Sequence, residues 1–264
     1  RTEFAAKPKK ALLLAPTFSE YEKALSAAGC EINFYALKDE NDFALGDDYI
    51  NVLEGGYDIV FLCSPNNPTG GELSEQCLLE IVTRCKRLGI LPVIDMSFAD
   101  FSENTVSANV LAEAGAAVIK AFTKIYAMPA LRLGYMLCCD EDLLGKVNLA
   151  GQSWSVNSLA QAAGAAALDD SDFIGRTVEY ISRERRFLTE KFGAMGIKTY
   201  PAAANFILLK SEHDLADIAM ESGIALRRCE NFCGLDGSFF RTAVRSHEDN
   251  IELVMALERG LLNG

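Results

Sequence analysis

Polar residues stand directly after apolar runs in the first half of this chain, and their types could do chemistry together. Asn67 lies in Ser64-Pro65-Asn66-Asn67-Pro68-Thr69-Gly70, just after an apolar run at 60–63. The two prolines exclude helix and fix an extended turn, so Asn67 offers a neutral donor from a stiff frame. Asp95 follows the run at 91–94. A carboxylate where a strand leaves a sheet is costly to desolvate unless a cation faces it. Thr123 and Lys124 follow the run at 116–122, with Arg132 close behind. A lysine at a strand end, partly desolvated and near other cations, can act as an amine nucleophile. Each residue alone has an ordinary reading: a surface turn, a capping aspartate, a solvated lysine. What points to a site is the order asparagine, aspartate, lysine, arginine at successive strand ends.

The elements that must position these groups are legible as alternation. Runs at 11–15, 59–63, 91–94 and 116–121 are apolar throughout, and amphipathic segments at 19–28 and 74–88 separate them. Continuous apolar runs suit strands covered on both faces by crossover helices, which predicts an α/β fold with a mostly parallel sheet. In such a sheet ligands bind at the carboxyl ends of the strands. Too few residues separate Phe122 from the next apolar run, at 133–138, for a helical crossover, so that run is expected to be antiparallel. Residues 140–193 are helical in period, with a break near Asp169-Asp170-Ser171; the charged stretch at 179–191 reads as solvent-facing. Strands at 197–200, 205–209, 224–228 and 239–244, interleaved with helices at 214–221 and 247–257, suggest a smaller α+β domain. The expected division is a large domain over 1–193 and a small C-terminal one over 194–264.

Composition narrows the partners. With 264 residues, half of them hydrophobic, the chain can bury a full core. Its net charge of -12 repels phosphodiester backbones and anionic lipid, so neither nucleic acid nor membrane is an expected partner. An acidic protein that handles small anions needs local cations, which makes single arginines informative. The 8 cysteines are scattered without C-x-x-C spacing and only 2 histidines accompany them, so no metal site is expected. Scattered thiols suit a reducing compartment, the cytoplasm. The start, Arg1-Thr2-Glu3-Phe4, has neither an initiator methionine nor a signal-peptide pattern, and is expected to be the start of a chain whose beginning is missing.

Several motifs carry a family resemblance: Asn66-Asn67-Pro68-Thr69-Gly70, Asp95 at a strand end, and T-K-I-Y-A-M-P-A-L-R-L-G-Y from Thr123 to Tyr135. They resemble fold-type-I pyridoxal 5'-phosphate (PLP) enzymes of aminotransferase classes I and II. Within that family the pattern is most similar to threonine-phosphate decarboxylase and histidinol-phosphate aminotransferase. Pro16-Thr17-Phe18-Ser19-Glu20-Tyr21, Asn205-Phe206 and Phe239 to Arg245 extend the likeness along the chain.

The resemblance implies that Lys124 holds the PLP cofactor as a Schiff base and shuttles protons, while Asp95 pairs with the pyridine nitrogen. It implies that Asn67 bonds the ring's O3' oxygen, that Phe18 stacks on the ring, and that Arg132 with Thr123 grips the phosphate. Arg241 would clamp a substrate carboxylate with two prongs, with Asn67 beside it. Arg227, Arg228 and Arg245 read as surface charges ahead of contacts to a substrate phosphate. Phe98, Met96 and Ala121 depart from the family, which usually has a tyrosine, an acid and a hydroxyl there. So does the absence before Pro16 of a helix-start turn that binds phosphate and of the arm that crosses to a partner subunit; the loss of such an anion site should cost PLP affinity. The implied activity is that of an aminotransferase acting at the alpha carbon of a phosphorylated L-amino acid, as a homodimer. Threonine-phosphate decarboxylation is the near alternative, and a non-catalytic homologue or fragment the distant one.

Overall fold

In the computed structural model, residues 9–104 and 106–263 are described; Arg1–Phe4, on which the expectation of a missing beginning rests, lies outside them. The first part of the chain runs β1 (Lys10–Ala15), α1 (Ser19–Ala27), β2 (Glu31–Ala36), α2 (Tyr49–Val52), β3 (Ile59–Cys63), α3 (Glu75–Leu88), β4 (Leu91–Asp95), α4 (Ala108–Ala114), β5 (Ala117–Ala121), α5 (Phe122–Ile125) and β6 (Gly134–Leu137). These strands form one sheet of order β2-β1-β3-β4-β5-β6. All its pairs are parallel except β5 with β6, which is the antiparallel strand expected after Arg132. Alternate residues bury on opposite faces. Leu12, Leu14, Val60, Leu62 and Ile94 pack with α3 and α4, whereas Ala11, Leu13 and Cys63 pack with Tyr21 and Leu25 of α1.

Helix α3 shows how local chemistry fixes these elements. Ser74 caps its start by accepting the Cys77 N–H, and Gly89 ends it at φ 71°. Leu78, Ile81, Val82 and Cys85 recur at helical spacing and are fully buried, each aliphatic side chain contributing about 1.5–3 kcal/mol.

A second, antiparallel sheet follows the helices α6 (Glu141–Ala150), α7 (Ser158–Asp169) and α8 (Phe173–Ala194). It has the order β7-β8-β10-β9, from β7 (Lys198–Thr199), β8 (Phe206–Lys210), β9 (Arg227–Arg228) and β10 (Phe239–Ala243). With α9 (Leu215–Met220) and α10 (His247–Asn263), α8 covers one face, where Ile207, Leu209 and Phe240 meet Leu188, Phe192, Leu215 and Leu257. The other face, through Leu208 and Phe239, joins the core of the first sheet. Here one expectation needs correction. The stretch 179–191 is not simply solvent-facing: Ile181, Ser182, Glu184 and Leu188 are buried. A helix can be rich in charge and still hide one stripe, and the buried Glu184 is satisfied by Asn250 Nδ2 at 3.1 Å and His247 Nδ1 at 2.9 Å.

The two sheets are latched by one carboxylate. Asp39 accepts hydrogen bonds from Lys198 Nζ (2.7 Å), Lys210 Nζ (2.6 Å) and Tyr200 Oη (2.5 Å). Burial pushes the Asp39 carboxyl up, but these partners outweigh it and hold the group well below the usual carboxylate range. A depressed folded value contributes stability that is present above the ordinary carboxylate pKa and lost as pH falls through the folded one. Asp39→Asn is therefore expected to cost about 1 kcal/mol at pH 7, a modest figure because both lysines are partly exposed. Urea unfolding of both proteins should show that gap narrowing steadily below about pH 4. A gap unchanged down to pH 2 would contradict the latch.

Candidate active site

Strand order reverses between β1 and β3, and an open α/β sheet places its ligand crevice at the carboxyl ends of the strands beside such a switch. Pro16-Thr17-Phe18 leaves β1, Ser64 to Gly71 leaves β3, Asp95 ends β4, and Thr123-Lys124 follow β5. The first two segments are tied together. Thr17 Oγ1 donates to Asn66 Oδ1 (2.9 Å), and Asn66 Nδ2 donates to the Pro16 carbonyl and to Thr69 Oγ1 (both 3.0 Å). The loop closes on Gly70, whose φ of 80° and approach by the Ala202 side chain leave no room for a Cβ. This frame holds Asn67 buried, with Oδ1 accepting from Arg241 Nη1.

Asp95 is half-buried at the end of β4, in register with Cys63 of β3 and Ile119 of β5. Its Oδ1 accepts the Ser97 N–H at 2.9 Å, and its Oδ2 accepts the Tyr21 hydroxyl at 2.6 Å. Phe18, at the start of α1, is 38% exposed and meets Tyr21 edge-on at 5.5 Å between centroids.

Lys124 lies on the short helical turn α5, and its side chain is exposed rather than partly desolvated as expected. One aromatic face covers it, the Phe98 ring, 5.5 Å from Nζ. Thr123 is buried beside it, while Arg132 is exposed and donates to the carbonyl of Pro129 in its own turn (3.1 Å). Among the described residues, no hydrogen bond or ion pair joins Lys124 to Asn67, Asp95 or Arg132. The link that does exist runs through rings: Phe98 packs edge-on against Phe206 at 5.0 Å, and the Arg241 guanidinium lies 4.9 Å over that same Phe206 ring.

Arg241 is the most constrained cation of the set. It sits mid-strand in β10, opposite Leu208 of β8 and opposite Arg227 of β9. Among the described residues no carboxylate pairs with it; its partners are an amide oxygen and a ring face. Burial pulls the guanidinium below its ordinary pKa, Cys229 counters part of this, and Arg227 adds to the lowering. It remains a charged fork with unsatisfied capacity. By contrast Arg228 is paired with Asp214 and Asp217, and Arg245 with Asp249.

The sequence reading missed Tyr21 as a partner of Asp95 and the bridging role of Phe206. The available signal was the i, i+3 spacing of Phe18 and Tyr21 on one helix face.

Comparison with known proteins places the chain in a family. The sequence model of aminotransferase class I and II matches residues 2–257. The chain belongs to that family. An aminotransferase class I and II chain is similar to a threonine-phosphate decarboxylase of Salmonella typhimurium, 36% identical over 98% of this chain and 72% of the relative. It is also similar to a histidinol-phosphate aminotransferase of Methanosarcina mazei, 32% identical over 92% of this chain but only 65% of the relative's length. The crystal structure of the histidinol-phosphate aminotransferase from Clostridium acetobutylicum superposes with a TM-score of 0.91 at 26% identity, covering 99% of this chain and 80% of that one. The expected α/β architecture of fold-type-I PLP enzymes is thus the observed one. Among the described residues no helix is long and apolar enough to cross a membrane, and no cluster of His, Cys, Asp or Glu could hold a metal ion.

Proposed function

We propose that this chain is a PLP-dependent aminotransferase acting at the alpha carbon of an L-amino acid that carries a phosphate ester. The donor set suits PLP: an exposed amine, an oriented carboxylate, a rigid amide and cations at the strand ends. Lys124 would hold the cofactor covalently, Asp95 its ring nitrogen, Asn67 its ring oxygen, Phe18 its face, and Thr123 with Arg132 its phosphate. When bound, PLP supplies an electron sink for the pair released at the alpha carbon. Lys124, which forms no ion pair among the described residues, then takes and returns the proton at that carbon. Arg241 fixes the substrate carboxylate with two parallel N–H bonds, and Asn67 holds the fork at the correct angle.

The observation that carries the substrate class is the arginine pair. Arg227 and Arg241 stand directly opposite each other on neighbouring strands, and neither has a carboxylate partner among the described residues. Like charges in that position are destabilising unless an anion is shared between them. A substrate with both a carboxylate and a phosphate meets that need. Decarboxylation of threonine phosphate is the second reading, supported by the 36% identity to the Salmonella typhimurium protein.

The homodimer belongs to the same proposal, supported by Leu149, Trp154 and Leu159, apolar side chains that are 82%, 94% and 72% exposed. A reducing, cytoplasmic setting is supported by the free state of Cys63, Cys85 and the other thiols. The two units, 1–193 and 194–264, are proposed as domains on the strength of the two separate sheets. To test the activity, the PLP-loaded protein is incubated with histidinol phosphate plus 2-oxoglutarate, and separately with threonine phosphate. Glutamate release supports transamination, and carbon dioxide release supports the second reading. Neither product, from protein that has taken up PLP, would overturn the proposed substrate class.

A further inference from the structure

Tyr21 lies outside the set of residues assigned to cofactor or substrate, yet it is built into the same machinery. Its ring is 7% exposed, stacked on Phe61 at 5.2 Å and held edge-on by Phe18. Its hydroxyl donates to Asp95 Oδ2 at 2.6 Å. Because Oδ1 is taken by the Ser97 N–H, the carboxylate is pinned at both oxygens, one partner from the turn after β4 and one from α1. Burial first, then Cys63 and Asp95 nearby, hold the phenol well above its ordinary pKa, so it stays a donor. Burial likewise pushes the Cys63 thiol up to about 12, leaving no competing anion beside the pair.

We propose that Tyr21 is a positioning residue that acts through Asp95: it fixes the carboxylate's rotation toward the ring nitrogen of PLP. The inference rests on the cofactor reading above. A site that must be ready before its ligand arrives needs its supporting contacts locked, and both carboxylate oxygens of Asp95 are held in this way. Helix α1 then serves the cofactor twice within one turn, through Phe18 at the ring face and through Tyr21 at the ring nitrogen.

The test compares apoprotein affinity for PLP with that for its 1-deaza analogue, in which the ring nitrogen is replaced by C–H. The unsubstituted chain is expected to prefer PLP. Tyr21→Phe keeps the ring and its stacking but leaves Asp95 Oδ2 without its donor. It should lower PLP affinity by about tenfold, the scale of one hydrogen bond to a charged group, and leave binding of the deaza analogue within about twofold. In an Asp95→Asn background the same substitution should no longer change the preference, and this second arm decides the matter if Tyr21→Phe alone is destabilised. Equal weakening of both ligands, or an unchanged preference in Tyr21→Phe, overturns the inference and leaves the cofactor reading intact. If the parent chain binds neither compound, the cofactor reading fails and the role of Tyr21 with it.

Discussion

Replacing Lys124 by alanine is expected to lower turnover by at least about 10^4-fold while leaving the unfolding transition almost unmoved. The proposed mechanism gives Lys124 two roles, the covalent hold on the cofactor and the proton transfer at the alpha carbon, and the second alone is commonly about 10^2–10^4-fold. The stability half follows from position. Lys124 is exposed, forms no ion pair among the described residues and lies over the Phe98 ring, so its removal costs about 0.5 kcal/mol or less. Parallel steady-state assays and urea titrations check both halves. A variant with activity within about tenfold of the parent would assign the chemistry to another amine.

Arg241→Lys is the second large effect. The substitution keeps the positive charge but replaces a planar fork with a point donor, so the two parallel bonds to a carboxylate and the bond to Asn67 cannot all be kept. Hydrogen bonds to charged groups are worth about 1.5–3 kcal/mol each, so kcat/KM should fall by about 10^2-fold or more. PLP uptake, read by absorbance, should be unchanged, because the proposed role of Arg241 is to hold the substrate carboxylate rather than the cofactor. Loss of PLP uptake together with activity would place Arg241 at the cofactor instead. Activity within about threefold of the parent would remove it from substrate binding.

The first sheet was readable because its strands are apolar on both faces: β1, β3, β4 and β5 fall where continuous apolar runs predict them. β2 escaped notice for the opposite reason. Glu31-Ile32-Asn33-Phe34-Tyr35-Ala36 mixes polar and apolar residues on a half-exposed edge, and no continuous run announces it. α4 is seven residues long and owes its limits to Ser107 and Gly115 rather than to periodicity. At the site, strand-end placement of Asn67, Asp95 and Lys124 followed from run boundaries, but the long-range contacts that hold Asn67 and Asp95 did not. The Asn67–Arg241 bond spans 174 positions and the Tyr21–Asp95 bond 74, and no local pattern encodes either. The exposure of Lys124 was equally hidden, because a one-turn helix after β5 turns the amine away from the core that precedes it.

The claim that organises all of this is an imine-forming nitrogen at residue 124. The direct measurement is borohydride reduction of the chain after addition of PLP, followed by proteolysis and mass spectrometry of the peptides. The account predicts one phosphopyridoxyl group, carried by the peptide at Lys124 and missing from Lys124→Ala. Stable modification at another lysine, or none in folded protein, would contradict it.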